Sequence, residues 1–181
     1  MHNRYSPKSL LITEDGGEFE ILEFFEMTEI QKEDRMFFKN KGQLQRFKDA
    51  QEHDFEMALS EIRNGRKDGH WIWYIFPQIR GLGMSDFSYH YGIMDMNEAK
   101  AYLKDSYLRN HLITITEALL ELPETDIRNI VGSPDNLKIR SCMTLFYHVA
   151  NGHEKSLFKA VIDKYYDGKF DKKTEQILFD K

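Results

Sequence analysis

One cysteine, Cys142, is all that 181 residues contain, so the chain cannot close an internal disulfide and nothing in it calls for an oxidising compartment. No segment approaches the ~20 consecutive apolar residues that a membrane span requires. No positively charged start is followed by the apolar run of an export signal, and a soluble protein of the reducing cytoplasm is expected. A basic excess is missing too: 25 Lys and Arg face 30 Asp and Glu, for a formal charge of −5. With no recognised reading motif either, general nucleic-acid binding is disfavoured, although a local pocket for one nucleotide remains open. Seven histidines include no His-Glu-x-x-His pair and no Cys-x-x-Cys partner, so no metal site is expected and no cofactor is implied. No Gly-x-Ser-x-Gly elbow occurs, and Lys138 precedes Ser141 in the reverse of the Ser-x-x-Lys order, which leaves serine acyl transfer without support.

What is present is a chain 41% apolar, enough for one domain with a real core. Its charge is uneven: residues 1–40 hold nine acids against five bases, whereas the remainder is close to neutral. We therefore divide it into an acidic extension, 1–42, and a helical domain, 43–181. Ser9 to Phe25 reads as a β-hairpin, with two apolar runs parted by Glu14-Asp15-Gly16-Gly17. An isolated hairpin is marginal, so its edge is a candidate surface for a protein partner through residues 9–25. Glu26 to Lys41 reads as a charged connecting helix or linker.

Beyond it, 3.6-residue spacing predicts a succession of helices. Leu44, Phe47, Phe55, Ala58, Leu59 and Ile62 form one stripe, closed by Asn64-Gly65, and Gln51 falls on the same face. Asp95-x-x-Glu98 has the spacing of a reciprocal cap. Asp105 or Ser106 opens a helix with Leu108, Leu112, Ile115 and Leu119 inward, and Thr125 to Val131 makes a short one. Ser133-Pro134, as N-cap and first helical residue, opens another that buries Leu137, Leu145, Phe146 and Val149. Glu154 to Tyr166 follows, then a last helix capped by Asp171 with Ile177 and Leu178 inward. Cys142 reads as a small core residue, and Lys138 as the ion-pair partner of Asp135 one turn earlier.

The chain is organised around His70 to Ser85, HWIWYIFPQIRGLGMS. As a strand this run is apolar on both faces and as a helical turn it is apolar all round, so either way it is core. It nevertheless carries polar atoms that need partners: two indole N–H groups on Trp71 and Trp73, the Tyr74 hydroxyl and the His70 ring. Pro77 ends the element, Gly81 and Gly83 allow a tight bend, and Ser85 is a plausible N-cap. Aromatic walls beside a few convergent polar groups have the form of a small-molecule site. Its candidate lining is Gln51, His70, Trp71, Trp73, Tyr74, Gln78, Gly81, Gly83, Ser85 and Lys138, and its expected ligand is small and anionic or nucleotide-like. His70 is the candidate acid or base, and Lys138 the candidate charge stabiliser. The plainer reading makes the glycines a turn, His70 a structural hydrogen-bonding group and the aromatic run pure core.

HWIWYIFPQIRGLG, with Arg46-Phe47 and Ala50-Gln51 before it and Ser141 to Phe146 after it, resembles an uncharacterised, mainly helical family whose members have often been mislabelled calpastatin. The resemblance spans about Leu44 to Leu178. It implies an all-α fold in a single compact multi-helix domain, and implies no activity.

Overall fold

The computed structural model describes the backbone of residues 29–179 and the side chains of 43–179. The candidate hairpin and its partner surface, residues 9–25, lie outside them. Contacts divide the chain into Met1–Lys39 and Asn40–Lys181, and every contact below belongs to the second unit. Among the described residues the chain forms nine helices and no strand. They are α1 Glu29–Arg63, α2 Ile72–Ile75, α3 Asp86–His90, α4 Met96–Lys104, α5 Ser106–Glu121, α6 Ile127–Val131, α7 Asp135–Val149, α8 Gly152–Tyr166 and α9 Lys172–Phe179. None of them is long and apolar enough to cross a membrane.

The capping residues fix most of these boundaries. Ser85 accepts the backbone N–H of Ser88, Asp95 that of Glu98, and Asp105 those of Tyr107 and Leu108. Each satisfies a donor that the first helical turn leaves open. The reciprocal half of the Asp95 cap is displaced by one residue, because the Glu98 carboxylate accepts from Met94 N. Asp171 caps α9 through Thr174 N. α1 closes at Asn64-Gly65, where Gly65 takes the positive φ of 71° that favours glycine.

α7 is the axis of the core. It buries Ile139, Cys142, Met143, Leu145 and Phe146 completely, and it packs against α2, α4, α6, α8 and α9. α5 buries Leu108, Leu112, Ile115 and Leu119 against α4 and α8. The aromatic run resolves as a single helical turn, α2. Trp71, Ile72, Ile75 and Phe76 are 0–1% exposed, Tyr74 is buried, and of residues 71–76 Trp73 alone reaches the surface. Side chains project from such a turn in every direction, so it can be enclosed on all sides by helices without a strand neighbour. After Pro77 the chain runs extended, and Ile79 pairs in an isolated parallel bridge with Ile93, with Arg80 N donating to Ile93 O and Ile93 N to Gln78 O.

Three expectations from spacing need correction. Leu137 is 54% exposed and Ile177 is 41% exposed, because the neighbouring helices cover other faces of α7 and α9. Pro134 stands at the N-cap position and not inside the first turn, so α7 begins with Asp135 and has no side-chain cap.

Candidate functional site

The ten candidate residues do not converge on one hollow. Most of them join three separate groups of contacts, built by different parts of the fold, and His70 stands apart.

The first group is a brace beneath the tryptophans. Glu61, near the end of α1, accepts the Trp71 Nε1–H at 2.8 Å and the backbone N–H groups of Asp68 and Gly69. Burial raises the Glu61 carboxyl, but these donors and the Lys67 charge outweigh it and hold the group below the usual carboxylate range. Asp135 receives Lys67 and Lys138, each at 2.7 Å, and Lys138 Nζ also lies 3.6 Å from the centroid of the Trp73 ring. Burial likewise raises Asp135, and the two ammonium groups more than reverse it. Trp71 is thus a fully enclosed core residue whose polar atom is satisfied, which removes it as a ligand wall. Lys138 is engaged by a carboxylate and a ring, which removes it as a free charge stabiliser. His70 is exposed and makes no hydrogen bond among the described residues, so the structure does not join it to Lys138 in a catalytic pair.

The second group centres on Gln51, which is 1% exposed. Its Nε2 donates to Tyr74 O at 2.7 Å and to the Tyr102 hydroxyl at 3.0 Å, and its Oε1 lies 2.9 Å from His111 Nδ1. Every polar atom of the amide is therefore used inside the protein. The Tyr74 hydroxyl donates to the Asp54 carboxylate. Burial, and then the Asp54 bond and charge, push the Tyr74 phenol up. Gln51 and Tyr74 are a structural node and not a lining.

The third group lies on the chain from Gln78 to Gly92. At Gly81 φ is 102°, so the bend requires glycine. At Gly83 a Cβ would fall 2.5 Å from Ser88 Oγ, with Gln78 Nε2 4.0 Å away. At Gly92 it would fall 2.7 Å from Ser88 O and 3.0 Å from Arg80 Cα. These close approaches clamp Arg80, Ser88, Gly83 and Gln78 together around the start of α3, which Ser85 caps. Arg46 reaches the same segment from α1, donating from Nη2 to Gly92 O at 3.2 Å. Its Nη1 stands 2.7 Å from Oε1 of Glu98, a carboxylate with no exposure, yet out of line for a hydrogen bond. The contact is an ion pair by proximity alone.

This third group also holds polar atoms that are buried and unpartnered. Ser88 Oγ, Arg80 Nε and Arg46 Nε have no hydrogen bond. Arg80 lays its guanidinium 4.4 Å from the centroid of the exposed Tyr89 ring, and among the described residues no carboxylate lies within ion-pair distance of it. Ser88, Arg80 and His111 are absent from the sequence-based site. His111 was the most legible of them: it lies three residues after Leu108 and four before Ile115, at the edge of the α5 stripe. Arg80 and Ser88 show no periodic signal. Among the described residues no three His, Cys, Asp or Glu side chains gather closely enough to hold a metal ion.

An all-α domain organised in this way around an indole-rich turn belongs to a class with known members. The family described as "Protein of unknown function (DUF1810)" matches residues 41–178, and the chain belongs to it. A crystal structure of the conserved hypothetical protein Rv1873 from Mycobacterium tuberculosis is similar over 75% of this chain and 95% of its own, with 40% identity and a TM-score of 0.72. No curated protein matches the chain.

Proposed function

We propose that this protein binds a small oxyanion-bearing ligand, a phosphate ester or nucleotide, on the segment from Gln78 to Gly92. The observation that carries the reading is the pair of buried donors left without acceptors, Ser88 Oγ on α3 and Arg80 Nε on the extended stretch before it, held together by the close approaches at Gly83 and Gly92. Buried polar groups without partners are rare and cost about 1–3 kcal/mol each, so two held together favour a missing acceptor. A guanidinium offers the planar fork that matches phosphate or carboxylate oxygens, and the Gln78 amide and Ser88 hydroxyl add neutral donors. Tyr89 and Phe87, 66% and 56% exposed, give an adjacent aromatic platform for a base or another flat group. Within this reading Gln78 is a donor and the two glycines floor the bend, as the sequence suggests, whereas Ser85, read there as a polar contact to the ligand, serves as the cap of α3. We place the protein in the cytoplasm, a reducing setting that suits the fully buried free thiol of Cys142.

Titration calorimetry of the full-length chain with AMP and with inorganic phosphate tests this. Removal of a charged hydrogen-bonding partner is worth about 1.5–3 kcal/mol, roughly 10–100-fold in affinity. We expect Arg80→Ala to weaken AMP binding by that factor, with the fold checked separately by its circular dichroism spectrum. Heat of binding that Arg80→Ala leaves intact would move the ligand elsewhere, and no binding of either probe would remove the proposal.

A further inference from the structure

Among the described residues, His111 is an imidazole that the fold orients through one ring nitrogen and leaves without a partner at the other. The two acceptors of Gln51 Nε2, a backbone carbonyl and a phenol oxygen, fix which end of the amide is NH₂. The other end is consequently the carbonyl oxygen, so the ring nitrogen facing it must be a donor: His111 carries its proton on Nδ1. Nε2 then holds the lone pair. It has no hydrogen bond among the described residues and is not fully enclosed, on a residue that is itself only partly buried. The ring is held flat against Phe55, with centroids 3.6 Å apart and planes 7° from parallel, while Tyr107 leans against it at 4.1 Å. Burial, which disfavours the charged ring, pushes the imidazole below its ordinary value, and the Glu56 charge opposes that shift without reversing it.

The groups around the ring set its preference. Exposed Glu56 on α1 acts on His111, and exposed Glu52 on α1 acts on the Tyr107 phenol beside it. Tyr74 from α2 and Tyr102 from α4 lie behind Gln51, Asp54 accepts from Tyr74, and burial pushes both phenols up, so they stay protonated and uncharged. Of these groups, Glu56 is the carboxylate that acts on the ring and Glu52 the one that acts on its Tyr107 neighbour.

We infer that His111 is a second binding site, separate from the loop of Arg80 and Ser88, at which the Nε2 lone pair accepts the O–H or N–H of a cationic ligand. Glu52 and Glu56 supply the charge complement, and Gln51 is a positioning residue that holds the tautomer. Where the bound O–H is acidic enough, the proton moves to Nε2 and leaves an imidazolium with both nitrogens protonated and an oxyanion on the ligand.

Long-range proton–nitrogen NMR of the full-length chain tests both halves of the inference. At pH 7 the His111 signals should show a protonated Nδ1 and a bare Nε2; the opposite tautomer overturns the argument. Tyramine and 4-hydroxyphenylacetate then present the same phenol with opposite charge. Tyramine should shift the His111 Nε2 signal with at least ten-fold higher affinity, and Glu56→Gln should reduce that difference. Equal response to the two, or none to either, refutes the site without bearing on the Arg80 loop.

Discussion

Trp71→Ala is expected to lower the free energy of unfolding by about 3–5 kcal/mol, the range for deleting a buried large aromatic, read as a shift in the urea midpoint. The side chain is 0% exposed and packs on Phe76 with ring centroids 6.3 Å apart. Its loss opens a cavity in a helical turn that has apolar neighbours on every side. It also deletes one of the donors gathered on Glu61, which ties the end of α1 to the Asp68-Gly69 backbone leading into α2. Trp73→Ala provides the contrast. Trp73 is only partly buried and meets Lys138 through its ring face, so its removal should cost clearly less. Equal penalties for the two indoles would mean that the run acts as one undivided plug and not as a core residue beside a surface one.

Glu98→Ala is expected to destabilise by a similar amount, about 3–5 kcal/mol, for a different reason. Glu98 is 0% exposed and stands against Arg46, so removing the carboxylate strands a guanidinium that is itself only 13% exposed. It also deprives Met94 N of its acceptor at the entry to α4. Replacing both partners with methionine should recover part of that loss, because no uncompensated charge then remains. Chemical denaturation of Glu98→Met, Arg46→Met and the double variant gives the coupling directly. A double variant as unstable as the sum of the singles would show that the pair's proximity contributes nothing and that only packing and the Met94 bond matter.

Much of the fold follows from short-range rules. The caps at Ser85, Asp95, Asp105 and Asp171 all form as their residue types require, and the Leu108–Leu112–Ile115–Leu119 stripe is buried throughout. Local spacing fails where it must name a partner. It puts Leu137 and Ile177 on apolar faces, but which face a neighbouring helix covers depends on how α7 and α9 are tilted. The site is less legible for the same reason. Gln51 meets a histidine 60 residues later, and Arg46 meets Glu98 from another helix, so proximity of that kind leaves no pattern in either segment. The aromatic run announces a core and not a pocket. Its polar atoms on Trp71 and Tyr74 bond to Glu61 and Asp54, acids of α1 with no distinctive spacing.

A crystal structure of the full-length chain grown with millimolar AMP is the most direct test of whether the clamped loop is the binding locus. The phosphate should lie within hydrogen-bond reach of the Arg80 guanidinium and the Ser88 hydroxyl, with the adenine against Tyr89 or Phe87. Nucleotide density seated on Trp73 and Lys138, or a loop left bare while AMP occupies another surface, would contradict that assignment.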